Sequence, residues 1–282
     1  MAGVRCCPAA RLPPLALALA RAEPGRARRG ALRRREHLLA APLLLAARSA
    51  GAAEEAAPAV VSVASGQELE AALASAPAGA VLELEGGEYR ARLVLSRSVT
   101  VRAAAGASSV IEWVTKEPYQ SVVDVGVRGC VLEGLTLRHS SKSVAQNYAI
   151  FVREGAQLTM RRCAVSSATG SGLGVEGGEA LLEGCDLSGS KAHGAALYGD
   201  LLGGAAPVAL RNCRVERNGG CGVLARQGAR PQLEGVTIRG NGDAAVAAVD
   251  ARVSLRDCRA EGALRLELGG RYEDGGGNML SG

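Results

Sequence analysis

One six-residue phrase recurs six times between Leu132 and Ala260, and it constrains the fold more tightly than anything else in the chain. The copies read LEGLTL (Leu132–Leu137), MRRCAV (Met160–Val165), LEGCDL (Leu182–Leu187), LRNCRV (Leu210–Val215), LEGVTI (Leu233–Ile238) and LRDCRA (Leu255–Ala260). Their first residues stand 28, 22, 28, 23 and 22 positions apart. A period near 22 with apolar first, fourth and sixth places predicts a solenoid in which each copy belongs to one turn.

Further strand segments fill each period, for example Gly222–Arg226 and Pro231–Leu233. Gly155, Gly177 and Gly228 fall at the expected corners, where positive φ is open to a residue without a side chain. Upstream, Val60–Val63, the stretch from Gly79 to Tyr89, Leu93–Leu95 and Val99–Val101 alternate as short strands. Ser65 and Glu68 form a capping box ahead of Leu69, Ala72, Leu73 and Ala76, which share one helical face. A short helix from Ser65 to Ala76 is therefore expected to cover the open edge of the first turn. Roughly eight turns at ~4.8 Å would give a rod about 40 Å long.

These residues carry a resemblance. Ser65-x-x-Glu68 with the Gly79–Tyr89 stretch resembles the entry of the pectin-lyase-like superfamily. The Leu-x-x-Cys-x-Val phrases, followed by Asn218-Gly219 and Asn241-Gly242, resemble the repeats of periplasmic NosD-type proteins and of the β-helix part of certain F-box proteins. The resemblance covers about residues 60–265 and implies an all-β, right-handed parallel β-helix with a short N-terminal capping helix. It does not imply one activity, since the superfamily holds lyases, hydrolases, epimerases, adhesins and noncatalytic scaffolds. A leucine-rich repeat is the rival solenoid, but it needs helical return segments where this chain has glycine-rich strands.

Composition agrees with stacked turns. The chain has 38 glycines and only seven aromatic residues, so its apolar mass is Ala, Val and Leu. Its charge is unevenly spread. Residues 1–52 hold ten arginines against Glu23 and Glu36, whereas the remainder carries a net −3. A weakly acidic body argues against a nucleic-acid partner.

Residues 1–52 read as a targeting leader. An arginine-rich, acid-poor segment precedes Arg33-Arg34-Arg35, the apolar run from Leu38 to Ala47 and the small-residue site Ala50-Gly51-Ala52. A transit peptide followed by a twin-arginine-like signal resembles the bipartite leaders of thylakoid-lumen proteins, which implies a chloroplast destination that can extend to the thylakoid lumen, with a secreted or other organellar location as the alternative. No run reaches the ~18–20 apolar residues of a membrane span. The β-helix is then assigned to 53–265, and 266–282 to a C-terminal tail without an evident cap.

Cys163, Cys185, Cys213 and Cys258 occupy the phrase's fourth place, where Leu135 and Val236 stand in the other copies. Interchange with Leu and Val predicts an inward ladder of free thiols, with Val236 in the same column. No CxxC pair occurs, and neither metal nor cofactor is expected. Cys130 and Cys221 lie outside the column. The glycine string Gly172–Gly177 resembles a dinucleotide loop but lacks the βαβ context that would give it meaning.

Candidate function gathers where the repeat is interrupted. The two 28-residue intervals and the irregular loop after Trp113 carry Trp113, Tyr119, His139, Lys142, Tyr148, His193, Tyr198 and Asp200. Aromatic side chains there would offer platforms for a sugar. Paired carboxylates of the kind glycoside hydrolases use are not evident. Nor are the Gly-His-Gly and Arg-x-Lys elements of polygalacturonases, of which Lys191-Ala192-His193-Gly194 is only an echo. The expectation is a noncatalytic scaffold binding a protein or polysaccharide through its sheet faces and loops. The alternative, a polysaccharide-active lyase, hydrolase or epimerase, requires His139, His193, Tyr198 and Asp200 to converge on one face.

Overall fold

A computed structural model describes residues 58–145, 147–200 and 207–282. The predicted leader lies outside the described residues. Within them, one helix and 27 strands alternate so that the chain visits three sheets in a fixed order, turn after turn. One turn runs through Cys130–Glu133, Leu135–Ser141 and Tyr148–Val152, in the first, second and third sheets respectively. The three sheets hold ten, nine and eight strands. Every strand pairs in parallel with its counterpart one turn away, for example Gln157–Arg161 with Glu179–Glu183.

The recurring phrase spans the corner between the first and second sheets. Its first residues lie in register as one column, Leu132, Met160, Leu182, Leu210, Leu233 and Leu255. All six side chains are buried. The third residue is left-handed in every copy: Gly134 (φ 68), Arg162 (φ 51), Gly184 (φ 61), Asn212 (φ 52), Gly235 (φ 64) and Asp257 (φ 53). Glycine, Asn and Asp tolerate that conformation best, which is why they alternate there. Arg162 is the exception, and it is held in an ion pair with Glu133.

The cysteine column follows directly. Leu135, Cys163, Cys185, Cys213, Val236 and Cys258 are all buried, and the four cysteines are free thiols. Cys213 and Cys258 donate to the carbonyls two residues back, Arg211 and Arg256, each at 3.2 Å. Cys163 reaches Arg161 at 3.4 Å in the same way. The thiol thus gives the corner carbonyl a weak donor that Leu or Val would not. Mutual contact and burial push Cys163 and Cys213 well above the ordinary thiol range, whereas the neighbouring S–H groups lower Cys185 between them.

A polar ladder marks the way from the second sheet to the third. Ser167 N–H donates to Ser190 Oγ (3.2 Å), Ser190 N–H to Asn218 Oδ1 (2.9 Å) and Asn218 N–H to Asn241 Oδ1 (3.1 Å). The two Asn amides also donate inward to the carbonyls of Leu187 and Val215. Buried backbone groups that no strand partner reaches are satisfied in this way.

The helix Gly66–Ser75 packs against Val60–Val63, Gly87–Arg90 and Leu93–Leu95, the first strands of the three sheets. Ser65 Oγ accepts from Glu68 N–H at 3.2 Å, and the Glu68 carboxylate accepts from Ala64 N–H at 2.8 Å. A cap of this type stabilises a helix by about 1 kcal/mol. Leu69 is fully buried against the core.

The other end differs from expectation. Residues 266–282 are not a tail. Arg271–Asp274 pairs with Arg252–Leu255, and Met279–Ser281 with Arg259–Glu261, so another turn is laid down. Its corner is the glycine run Gly275–Gly277, with Gly276 at φ 89 and Gly277 at φ 71. Asp274 stands where the phrase would have leucine. The turn therefore folds like the others without resembling them in sequence. Among the described residues, no helix is long and apolar enough to cross a membrane.

Candidate functional site

Outward residues of the third sheet build a groove of about 560 Å³. In the strand Tyr148–Val152, Ile150 and Val152 point into the core, which leaves Phe151 on the outer face of the sheet, where it is 5% exposed. The next strands, Ser171–Glu176 and Ala195–Tyr198, place Gly174 and then Ala196 in register with Phe151. These small residues make a floor. The Tyr148 ring lies on it: a Cβ on Gly174 would come within 2.4 Å of the ring's Cγ and Cδ2. Only glycine leaves room for the ring there.

The walls are aromatic and charged. Tyr148 and Phe151 stack with centroids 5.8 Å apart and an interplanar angle of 22°. The Arg153 guanidinium sits 5.4 Å from the Phe151 centroid. Tyr148 donates its hydroxyl proton to Glu176 at 3.3 Å. Burial, with Tyr198 and Glu176 adding to it, raises the Tyr148 hydroxyl far above the usual phenol range. Tyr198, in register with Glu176, forms the next wall; Glu154 and Gln227 also line the groove.

Arg153 is tied down from below. Its Nε and Nη2 each donate to Asp124 at 2.7 Å, and Arg92 reaches the same carboxylate at 3.1 Å. The Asp124 side chain is only 5% exposed. Two guanidiniums thus satisfy one buried carboxylate, an arrangement that fixes Arg153 and Phe151 against the sheet.

The other predicted residues do not join this groove. His139 points inward from the second sheet with Leu135 and Leu137, and is 3% exposed. Its Nε2–H donates to the Gln120 carbonyl at 2.9 Å, so Nδ1 is left to accept from Ser167 at 3.1 Å. Burial lowers its pKa. His139 is therefore a neutral rung of the internal polar structure. Trp113 Nε1–H donates to Gln120 at 3.3 Å and packs against the core, Tyr119 is exposed at φ 59, and Lys142 is exposed beside Thr115. All four belong to the second sheet and its loop.

His193 enters a separate cluster. Its Nδ1 accepts the Cys221 backbone N–H at 2.9 Å, and the Cys221 thiol contacts Asp243 at 3.3 Å. Asp243 is paired with Arg265 at 2.7 Å. Burial lowers His193 and pushes Cys221 up to about 11, while Arg265 holds Asp243 below its usual range. Cys221 is fully buried. Asp200 follows Tyr198 by two residues, its Cα beside Gly177 at the rim of the groove. Convergence of His139, His193, Tyr198 and Asp200 therefore fails, because His139 faces the interior and Tyr198 the exterior.

Of the residues expected from the sequence, Tyr148 and Tyr198 line this groove; Phe151, Arg153, Glu154 and Glu176, which also line it, and Asp124, which holds Arg153, were not among them. One signal was available. The string Gly172–Gly177 is the strand whose missing side chains open the floor.

Parallel strands coiled turn after turn through three sheets define a right-handed parallel β-helix. The chain belongs to the right-handed β-helix family, whose description is "Right handed beta helix region" and whose sequence model matches residues 125–279. Among solved structures it is similar to pectin methylesterase PemA from Erwinia chrysanthemi, at 13% identity over 77% of this chain and 80% of that one, with a TM-score of 0.50. It is also similar to the pectin methylesterase from Aspergillus niger, at 13% identity over 77% and 85% of the two chains, with a TM-score of 0.52. At that identity the likeness is one of fold. No curated protein matches the sequence.

Proposed function

We propose that this β-helix is a noncatalytic scaffold that binds a glycan in the groove of the third sheet. The observation that carries it is the set of three aromatic side chains that line the groove, Tyr148 and Phe151 on one turn and Tyr198 two turns further on, beside a floor of small residues. Aromatic faces pack against the apolar faces of sugar rings, and polar groups at the rim then set orientation. The candidate proton-transfer groups support a structural role instead: His139 is buried and hydrogen-bonded, His193 is half-buried and hydrogen-bonded, and Asp124 is saturated by two arginines. The arginine-rich leader supports delivery of this scaffold to the chloroplast.

Calorimetry of the purified protein with neutral, acidic and amino oligosaccharides tests the proposal. Binding of at least one class is expected, weakened about tenfold or more by Phe151→Ala, with the oligosaccharide recovered intact. Absence of any binding, or release of cleaved, unsaturated or epimerised product, would overturn it.

A further inference from the structure

We infer that the groove selects an oligosaccharide bearing free amino groups, a hexosamine chain, over a polyuronate. This rests on the glycan-binding reading above and names its ligand class.

The argument is one of charge placement. Glu154 and Glu176 line the groove together with three aromatic rings. An ammonium group is attracted both by carboxylates and by the faces of aromatic rings. One cation already exploits the second effect, since Arg153 sits over Phe151. That arginine is the cation a uronate would need, but its Nε and Nη2 are committed to Asp124. Arg226 follows Tyr198 by one turn but is not among the residues that line the groove. A carboxylated sugar entering here would meet two carboxylates, Glu154 and Glu176, against one lining guanidinium that is already bonded to Asp124. A protonated amine would meet the opposite.

Dimensions agree with a short chain. From Phe151 through Gly174 and Tyr198 to Gln227 the groove crosses three turn spacings, about 14 Å at ~4.8 Å each. The sugar chain would run along the solenoid axis, with successive residues over Tyr148 and Phe151, then Glu176, then Tyr198.

Isothermal titration of the full chain with the trimers of glucosamine, N-acetylglucosamine, glucose and galacturonic acid separates the possibilities. Each is measured near pH 6 at low and at high salt. The glucosamine trimer is expected to bind about tenfold or more tighter than the glucose trimer, with the advantage shrinking in salt. Galacturonate is expected to bind least. Glu176→Gln and, separately, Glu154→Gln should each cut the amine preference, read as the ratio of glucosamine-trimer to glucose-trimer affinity. Glu154→Gln guards against an indirect effect, because Glu176 also holds Tyr148. If the neutral or acidic trimer binds as well as the amine, the selectivity is overturned and glycan binding stands. If no trimer binds, both fall.

Discussion

The Tyr148 ring rests on Gly174, a residue one turn further along the solenoid, so closely that a single methyl group would come within 2.4 Å of it. The contact joins a loop-entry residue to a strand floor and sets the shape of the groove. Gly174→Ala should therefore lift the ring off the sheet. The expected cost to folding is about 1–3 kcal/mol if the ring cannot move, and less if it swings out. Either way, near-UV circular dichroism from Tyr148 should fall and saccharide affinity should drop about tenfold. Unchanged affinity would show that the ring's position is irrelevant to binding.

Asp124 and Arg153 give a second test. Asp124→Asn removes the buried carboxylate that holds Arg92 and Arg153, with an expected loss of about 1–3 kcal/mol in denaturant unfolding. It also frees Arg153 beside the groove. Galacturonate-trimer binding should then rise relative to the wild type, and a variant that gains no anionic affinity would count against the charge argument.

The desolvated histidines predict acid sensitivity. His139 and His193 both have folded pKa values below the ordinary ~6.5, because burial disfavours their charged forms. The unfolded chain therefore binds more protons as pH falls past that value. Their contribution to stability is present above pH ~6.5 and is lost as pH drops through the folded pKa values. The melting temperature should fall between pH 7.5 and pH 5, and His139→Gln should flatten part of that slope while costing stability at neutral pH. A flat wild-type profile over this range would refute the assignment.

The thiol ladder predicts chemical silence. In the native protein Cys163, Cys185, Cys213 and Cys258 should resist a thiol reagent and react only on unfolding. Cys213→Val, which imitates Val236 in the same column, should change stability by less than about 1.5 kcal/mol. Cys213→Asp should prevent folding, since an unpaired buried carboxylate has no compensating partner there. Rapid labelling of the folded protein would contradict the inward column.

The leader is tested apart from the fold. Residues 1–60 fused to a fluorescent reporter should carry it into the chloroplast, and cytosolic fluorescence would sink the location.

Some of this was written plainly in the residues. The period of Leu132, Met160, Leu182, Leu210, Leu233 and Leu255 determined a stacked solenoid, because only a turn-by-turn repeat buries the same position each time. Exchange of Cys with Leu and Val determined the inward column, and the Ser65–Glu68 box determined the capping helix. The last turn escaped notice because Gly275–Gly277 replaces the usual corner and Asp274 the usual leucine.

The groove was decided by the tertiary structure. Phe151, Gly174 and Tyr198 lie 23 and 24 residues apart in sequence, and only parallel stacking sets them on adjacent turns. His139 shares side-chain parity with Leu135 and Leu137, but it faces the core only because the strand continues past the phrase to Ser141. Arg153 lost its availability to Asp124, a partner 29 residues away. Local periodicity is enough to specify which residues are buried in a solenoid. Which outward residues meet depends on register between turns, and no single turn encodes that.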